Sequence, residues 1–267
     1  MKKINRITLL IMLVIAASVL MQSCGKDNLK YPSSTLSGRL TYQGQPVGLI
    51  PSNPDIIGSA NTATLLLQQT SGAQEVYGAG EVRIYAKNDG SFTSKFFDGK
   101  YLMRTQTSRS PFEDFTNRAV TVSGDTDLGN IEVVPYWWMN GLQTDYTAGV
   151  FTANFNLTKP SANTARTLER VYIFLSPTNL PDVQSSTQGV AKNWIAGFNS
   201  GGIVVPAGSS TGGTVTIKVD LNALTTGEKQ FLKAFGNNTT VYATVAVKTT
   251  NINDALYSKP IQLKLPY

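Results

Sequence analysis

The sequence predicts an all-β protein of two β-sandwich domains, the second carrying one short helix. Three observations lead there. Apolar and polar residues alternate with a period of two through most of the chain, the pattern of half-buried strands. Asn, Asp, Gly and Pro interrupt these runs at short intervals, as turns between strands do. The 267 residues hold a single cysteine, so no internal disulfide can form and stability must come from hydrophobic cores between sheets.

The first 24 residues, MKKINRITLLIMLVIAASVLMQSC, stand apart. Lys2, Lys3 and Arg6 make a basic start, an apolar run extends from Ile7 to Met21, and small and polar residues lead to Cys24. This is the three-part layout of a secretory signal, and the run is shorter than the roughly 20 apolar residues of a spanning helix. Gly25-Lys26-Asp27-Asn28 follow, a solvated setting unsuited to a core thiol. The order Leu20-Met21-Gln22-Ser23-Cys24 resembles a bacterial lipobox in the loose form used by Bacteroidetes. The resemblance implies cleavage before Cys24, a diacylglycerol thioether on its sulfur and acylation of the new amine. At roughly 0.8 kcal/mol per buried methylene, two or three acyl chains hold a protein on a membrane almost permanently.

The expected organisation is a lipoprotein signal peptide over residues 1–23, a lipidated tether over 24–34, a first sandwich over 35–135 and a second over 136–267. Cleavage would leave 244 residues, enough for two modest domains, and would lower the formal net charge from +6 to +3 by loss of Lys2, Lys3 and Arg6. No run of Lys and Arg marks a nucleic-acid groove.

The elements follow in order. Pro32 lies in the short polar tether. TLSGRLTYQG sets Leu36, Gly38, Leu40 and Tyr42 on one face of a strand, and Gly44 to Pro54, with three prolines and two glycines, reads as a loop. TATLLLQQT is a second strand. In EVRIYAKNDGSFTSKFFDGKYLMRTQT, Val82 and Ile84 alternate with polar residues, Asn88 to Gly90 reads as a hairpin turn, and Phe92 and Phe96 continue the alternation. Asp98-Gly99 makes the next turn and Tyr101 and Met103 begin another strand. RAVTVSGDTDLGNIEVVPY reads as two strands about the Gly124-Asp125 turn, and VVPYWWMNG ends the first domain.

In the second half GVFTANFNLT puts Phe151, Ala153, Phe155 and Leu157 on one face and Thr152, Asn154 and Asn156 on the other. LERVYIFLSPT, GTVTIKVDL, TTVYATVAVKT and SKPIQLKLPY supply further strands. A Gly- and Ser-rich tract from Gln184 to Gly213 holds NWIAGFNSGGIVV. A helix is expected near 226–235: Thr225 and Glu228 have capping-box spacing, Phe231, Leu232 and Phe235 share a face, and Gly236 suits the stop.

The first half resembles the prealbumin-like, or carboxypeptidase regulatory-like, β-sandwich. Gly38, Gly44, Pro46 and Val47 fill its opening pattern, and Asp89, Gly90, Phe92, Gly99 and Tyr101 its later one. An immunoglobulin-like sandwich is expected for the second half. The chain is similar over most of its expected mature length to the Bacteroidetes lipoproteins of domain-of-unknown-function family 3823. The residues that carry this are Tyr31 to Leu49, Asp89 to Arg104, Pro111-Phe112 and Val133 to Trp138. That resemblance implies a place on the outer membrane, at the cell surface, beside a transporter pair like that of the starch-utilisation system. It carries over no catalytic or binding residue.

The chain contains no histidine, which removes the commonest general base and zinc ligand and every Ser-His-Asp or Cys-His arrangement. Asp89, Asp98, Asp125 and Asp127 sit in turns, where backbone geometry accounts for them. Glu113-Asp114 follows Pro111 in a loop, and no two carboxylates are selected as the converging pair a glycoside hydrolase needs. Asp125 to Asp127 could offer oxygens to calcium but lacks the further acids of an EF-hand loop and reads as a turn. No metal, cofactor or catalytic residue is therefore expected.

Aromatic residues are the distinctive resource. Tyr136, Trp137 and Trp138 stand together, and Trp194 and Phe198 lie in the glycine-rich tract. Sugar rings stack their C–H faces on exposed aromatic faces, so these five are the candidate ligand platform, with Asn and Gln as donors. Packing at a domain boundary is the competing use of the Trp137-Trp138 pair. The expected function is non-catalytic: a lipid-anchored surface protein accessory to nutrient capture, with glycan as ligand. The alternatives are a structural spacer or adaptor in an outer-membrane complex and, third, a glycan hydrolase.

Overall fold

The computed structural model describes residues 31–50, 64–72, 80–177, 179, 211–233 and 239–267. Cys24, Trp194, Phe198, Phe235 and Gly236 lie outside these residues, as do the signal segment and most of the Gly- and Ser-rich tract. Among the described residues no helix is long and apolar enough to cross a membrane.

The alternation seen in the sequence builds two facing sheets between Ser34 and Glu132. In one, β1 (Ser34–Tyr42) pairs antiparallel with β2 (Gln45–Pro46) and β5 (Ser91–Phe96), and parallel with β8 (Asp125–Glu132). The other runs in the order β4-β3-β6-β7, from β3 (Leu65–Gly72), β4 (Glu81–Ile84), β6 (Gly99–Thr105) and β7 (Arg118–Val122). Leu36, Leu40 and Phe96 of the first sheet meet Leu67, Ile84 and Met103 of the second, all at most 2 % exposed.

The segment Asn88 to Gly90 departs from the expected hairpin. Asn88 to Gly90 does make a tight turn: Lys87 N–H donates to Ser91 O, Gly90 N–H to Lys87 O, and Gly90 has φ +73°. Yet it is no hairpin. β4 before it belongs to one sheet and β5 after it to the other. The turns at Asp98-Gly99 and Gly124-Asp125 also cross between layers, since β5 and β8 lie in the β1 sheet and β6 and β7 in the other. Turn residues and alternation are local signals; the partner of a strand is set by which distant sheet covers its apolar face.

The second half repeats the architecture. β9 (Trp138–Thr147), β10 (Val150–Thr158) and β12 (Gly213–Asp220) form a sheet in the order β12-β10-β9. A two-residue turn joins β9 to β10, with φ +51° at Ala148 and +83° at Gly149, the paired positive values of a type I′ turn that matches strand twist. The facing sheet centres on β13 (Thr240–Thr249), flanked by β11 (Leu168–Ser176), β14 (Ala255–Tyr257) and β15 (Ile261–Lys264). Phe151, Ala153, Phe155 and Leu157 all turn into this core, as their spacing predicts. The outer face of the β13 sheet is covered as well. Tyr172 and Phe174 stack there at 5.1 Å and are buried with Ile50 and Tyr257. The sheet β12-β10-β9 thus carries the polar outer surface of this sandwich.

The helix α1 spans Thr226–Lys233, preceded by a 3-10 turn at Leu221–Ala223 that the sequence reading did not foresee. Thr225 and Glu228 form the reciprocal cap: Thr225 N–H donates to the Glu228 carboxylate at 2.8 Å and Glu228 N–H to the Thr225 hydroxyl at 3.3 Å. Leu232 is buried, while Lys229 and Lys233 lie over the ring of Tyr267 at 5.0 and 4.8 Å.

Ser34 to Tyr267 form one compact unit, because the sandwiches exchange side chains. Trp138 is buried in the first core and Trp137 in the second; Leu256 of β14 returns to the first. Tyr257 N–H donates to Gly48 O at 2.9 Å, and a Cβ on Gly48 would stand 1.9 Å from Tyr257 O. Only glycine permits that approach. Gly48→Ala is expected to cost about 1–3 kcal/mol or somewhat more through overpacking, whereas Thr225→Ala should cost about 1 kcal/mol by loss of the cap. Denaturant midpoints check both, and a Gly48→Ala protein as stable as the parent would contradict the close contact.

Candidate functional site

Three of the five aromatic candidates sit in the cores. Tyr136, Trp137 and Trp138 are 3 %, 1 % and 5 % exposed, so the expected exposed platform is corrected for these three: a sugar cannot stack on a ring that protein already covers. Their contacts are those of a junction. The Trp137 indole N–H donates to Arg166 O at 3.2 Å and Lys159 lies over its ring at 5.7 Å. Arg166 lies over Tyr136 at 5.5 Å, and Tyr42 meets Trp138 edge-on at 5.2 Å. Burial pushes the Tyr136 phenol pKa up, with Asp114 adding to it. Trp194 and Phe198 lie outside the described residues.

The outer face of β12-β10-β9 is exposed to solvent. Residues directly opposite share a face, and the register sets them in rows. Asp145, Thr152 and Lys218 form the row nearest the β9-β10 turn; Gln143, Asn154 and Thr216 the next; Asn140, Asn156 and Thr214 the third. Strand geometry spaces these groups on a lattice of roughly 5 by 7 Å. Charge is confined to the turn end, and the rest is neutral amide and hydroxyl. Some of it is internally paired: the Thr216 hydroxyl donates to Asn154 at 2.6 Å, and the Asn140 amide to Thr158 at 2.9 Å. The side chains of Asn156, Gln143 and Thr214 have no hydrogen-bond partner among the described residues. The alternation of β10 marks Asn154 and Asn156 as outward; what it could not mark is that β9 and β12 would lay further amides and hydroxyls beside them.

At the far end this face opens into a cleft of about 620 Å³, lined by Asn156, Thr158, Lys159, Ser161, Thr164 and Thr211 among others. Its wall depends on a glycine: a Cβ on Gly212 would stand 2.2 Å from Leu157 O. Its floor is pinned to the first sandwich, since the Ser161 hydroxyl donates to Glu113 at 2.5 Å. Lys159 donates to the carbonyls of Ser161 and Asn163 at 3.3 and 2.6 Å, and burial holds its ammonium below the usual lysine pKa while Glu113 pulls the other way. A wall of hydroxyls, amides and carbonyls, with its cation already engaged, suits a neutral ligand rich in hydroxyl groups, which both donate and accept.

Among the described residues most carboxylates are committed to structure. Glu113 receives Ser161; Asp114 receives Thr105 and the Ser108 N–H; Glu132 receives Thr41 and the Gln43 N–H; Glu81 is paired with Arg104 and Glu169 with Lys248. Asp127, expected in a turn, instead lies within β8, where its carboxylate receives the Gly129 N–H at 3.0 Å beside the irregularity in the pairing with β1. Among the described residues no group of three or more Cys, Asp or Glu could hold a metal ion. The Ser34 hydroxyl, then the Gly124 N–H, hold the Asp98 carboxyl below its usual pKa. The Ser91 hydroxyl does the same for Asp89 against some desolvation, helped by the Ser91 N–H and Arg39. That direction is opposite to the raised carboxyl of a general acid.

Residues 34–134 match the family model for the N-terminal domain of the "Protein of unknown function (DUF3823)" family. No curated protein matches the chain. Among solved structures, a DUF3823 family protein from Parabacteroides merdae is similar at 23 % identity and TM-score 0.63, over 88 % of this chain and 100 % of that one. A DUF3823 family protein from Bacteroides ovatus is similar over the same shares at 23 % identity and TM-score 0.60. A protein from Bacteroides uniformis described as a "putative carbohydrate binding protein" is similar over the same shares at 16 % identity and TM-score 0.61. These likenesses establish a shared β-sandwich fold.

The depressed carboxyls carry a pH signature. An unfolded aspartate titrates near about 3.9; Asp89 and Asp98 titrate lower in the folded protein. Their contribution to stability is complete above the unfolded value and fades as pH falls through the folded one. Asp98→Asn should therefore flatten the acid limb of the stability profile below pH about 4, and an acid limb identical to the parent's would contradict the role.

Proposed function

Starting from a first sandwich of the DUF3823 N-terminal type, we propose that this protein is a non-catalytic, lipid-anchored surface protein that captures carbohydrate for an outer-membrane nutrient transporter pair. The observation that carries the reading is the neutral amide and hydroxyl face of β12-β10-β9, with the side chains of Asn156, Gln143 and Thr214 unpartnered among the described residues and a cleft at its end. One similar solved structure bears a carbohydrate-binding description, which supports the same ligand class. The lipobox-like run before Cys24 supports the anchor, and the transporter setting rests on the family resemblance.

A site of this chemistry works by exchange. Each ligand hydroxyl leaves water for an amide or hydroxyl on a fixed lattice, and each direct bond contributes a net of only about 0.5–1.5 kcal/mol. Affinity then grows with the number of sugar units in register, which suits a polymer held near a membrane better than a free monosaccharide. The second reading, a spacer or adaptor, is favoured by the interlocked junction that fixes one sandwich on the other. Among the described residues, however, the large apolar side chains left exposed are Tyr31 and Val134, too few for an apolar docking patch.

Affinity electrophoresis of the full chain against a panel of neutral polysaccharides should show retardation by at least one. The double variant Asn156→Ala with Gln143→Ala should bind it about tenfold more weakly, as expected for two lost hydrogen bonds. Retardation unchanged in that variant, or by none of the panel, would leave the spacer reading. Metabolic labelling with a fatty acid should mark the parent and spare Cys24→Ala; label persisting in the variant would remove the proposed anchor.

A further inference from the structure

The sheet β4-β3-β6-β7 turns a second, chemically different surface to solvent. Strand pairing sets Leu66 directly between Arg83 and Arg104, and Gln68 beside Glu81. Arg104 reaches across β3 and holds Glu81 bidentately, Nε to Oε1 and Nη2 to Oε2, both at 2.8 Å. That pair neutralises one of the two cations. Leu66 points away from the core yet is only 4 % exposed. The Arg83 side chain has no ion-pair or hydrogen-bond partner among the described residues, and the residue is exposed. These side chains, with Gln106, line a cleft of about 290 Å³. The side-chain oxygen of Gln106, itself buried, accepts no hydrogen bond. Buried acceptors are rarely left so; rotation of the Gln106 amide toward the cleft it lines would satisfy this one with an external donor.

We propose that this cleft binds a uronic acid unit of an acidic glycan. The guanidinium of Arg83 presents the fork that matches a carboxylate, and the orphaned Gln106 oxygen accepts a hydrogen bond from a hydroxyl on the same ring. A uronic acid joins those two groups in one molecule; sulfate brings charge without a donor, and a neutral sugar brings donors without charge. The Arg104-Glu81 pair keeps Glu81 from repelling the incoming anion and fixes one wall of the cleft. The proposal stands apart from the neutral face of β12-β10-β9, which belongs to the other sandwich.

The test is calorimetric titration of the full chain, purified in mild detergent, with an oligogalacturonate at low salt, beside its methyl ester and sodium sulfate. The acid oligomer should bind, and added salt should weaken it. The ester should bind about tenfold more weakly or not at all, and sulfate should compete poorly. Arg83→Gln should lose about tenfold and Gln106→Leu several-fold. Arg118→Gln, on the edge strand β7 outside the cleft, should bind as the parent does, and so should the Asn156→Ala, Gln143→Ala protein, which separates this site from the neutral face. Equal binding by Arg83→Gln, equal binding of the ester, effective competition by sulfate, or no binding of the acid oligomer would each overturn the proposal.

Discussion

Two adjacent indoles that point in opposite directions hold this molecule together. In an extended chain neighbouring side chains leave on opposite faces, so a Trp-Trp dipeptide placed between two sandwiches can serve both. Trp137 is buried in the second core and Trp138 in the first. The backbone around them is fixed as well: Tyr136 N–H donates to Pro111 O at 3.0 Å, and Phe112 bridges to Pro135. Removal of either indole from its core would cost about 3–5 kcal/mol, a large share of the stability of an ordinary domain. β14 works in the reverse direction, lending Leu256 from the second half to the first core. The polar rim then closes, with Arg166 donating to Ser108 at 2.7 Å and Ser161 to Glu113.

This use of aromatic residues shapes the functional reading. Rings committed to the junction cannot also stack on a ligand, and the outer face of the β13 sheet is occupied by its own buried Tyr172 and Phe174. What the described residues leave for recognition is polar: a neutral lattice on the second sandwich and an arginine-bearing cleft on the first. The chemistry of the two surfaces differs because their rows differ. Asn and Thr line up across β12-β10-β9, whereas Arg, Glu and Gln line up across β4-β3-β6.

Much of the fold was legible in the sequence because strand burial is written locally. Phe151, Ala153, Phe155 and Leu157 point inward where their period says they should, and Thr225 with Glu228 marks the helix start to the residue. Sheet membership was less legible. Asn88-Asp89-Gly90 reads as a hairpin, but nothing near it says that β4 pairs with β3 and β5 with β1. The type I′ turn at Ala148-Gly149 carries a weak signal, with alanine where Asn or Asp is usual. Of the candidate site, the outward Asn154 and Asn156 were visible as an alternation. Gln143, Thr214 and Arg83 acquire meaning only from cross-strand neighbours 11 to 58 positions away, and Gln106 from the cleft it lines. The buried fate of Trp138 depends on a core whose members begin at Leu36.

The central claim is that the junction makes one cooperative body of the two sandwiches. Native-state hydrogen exchange, followed strand by strand, tests it most directly. In the parent, the most protected amides of β1 and β13 should open with the same free energy, and Trp138→Ala should lower both by the same amount although it empties a site in only one core. If the substitution lowered protection in β1 and its neighbours and left β13 unchanged, the sandwiches would be independent and the account contradicted.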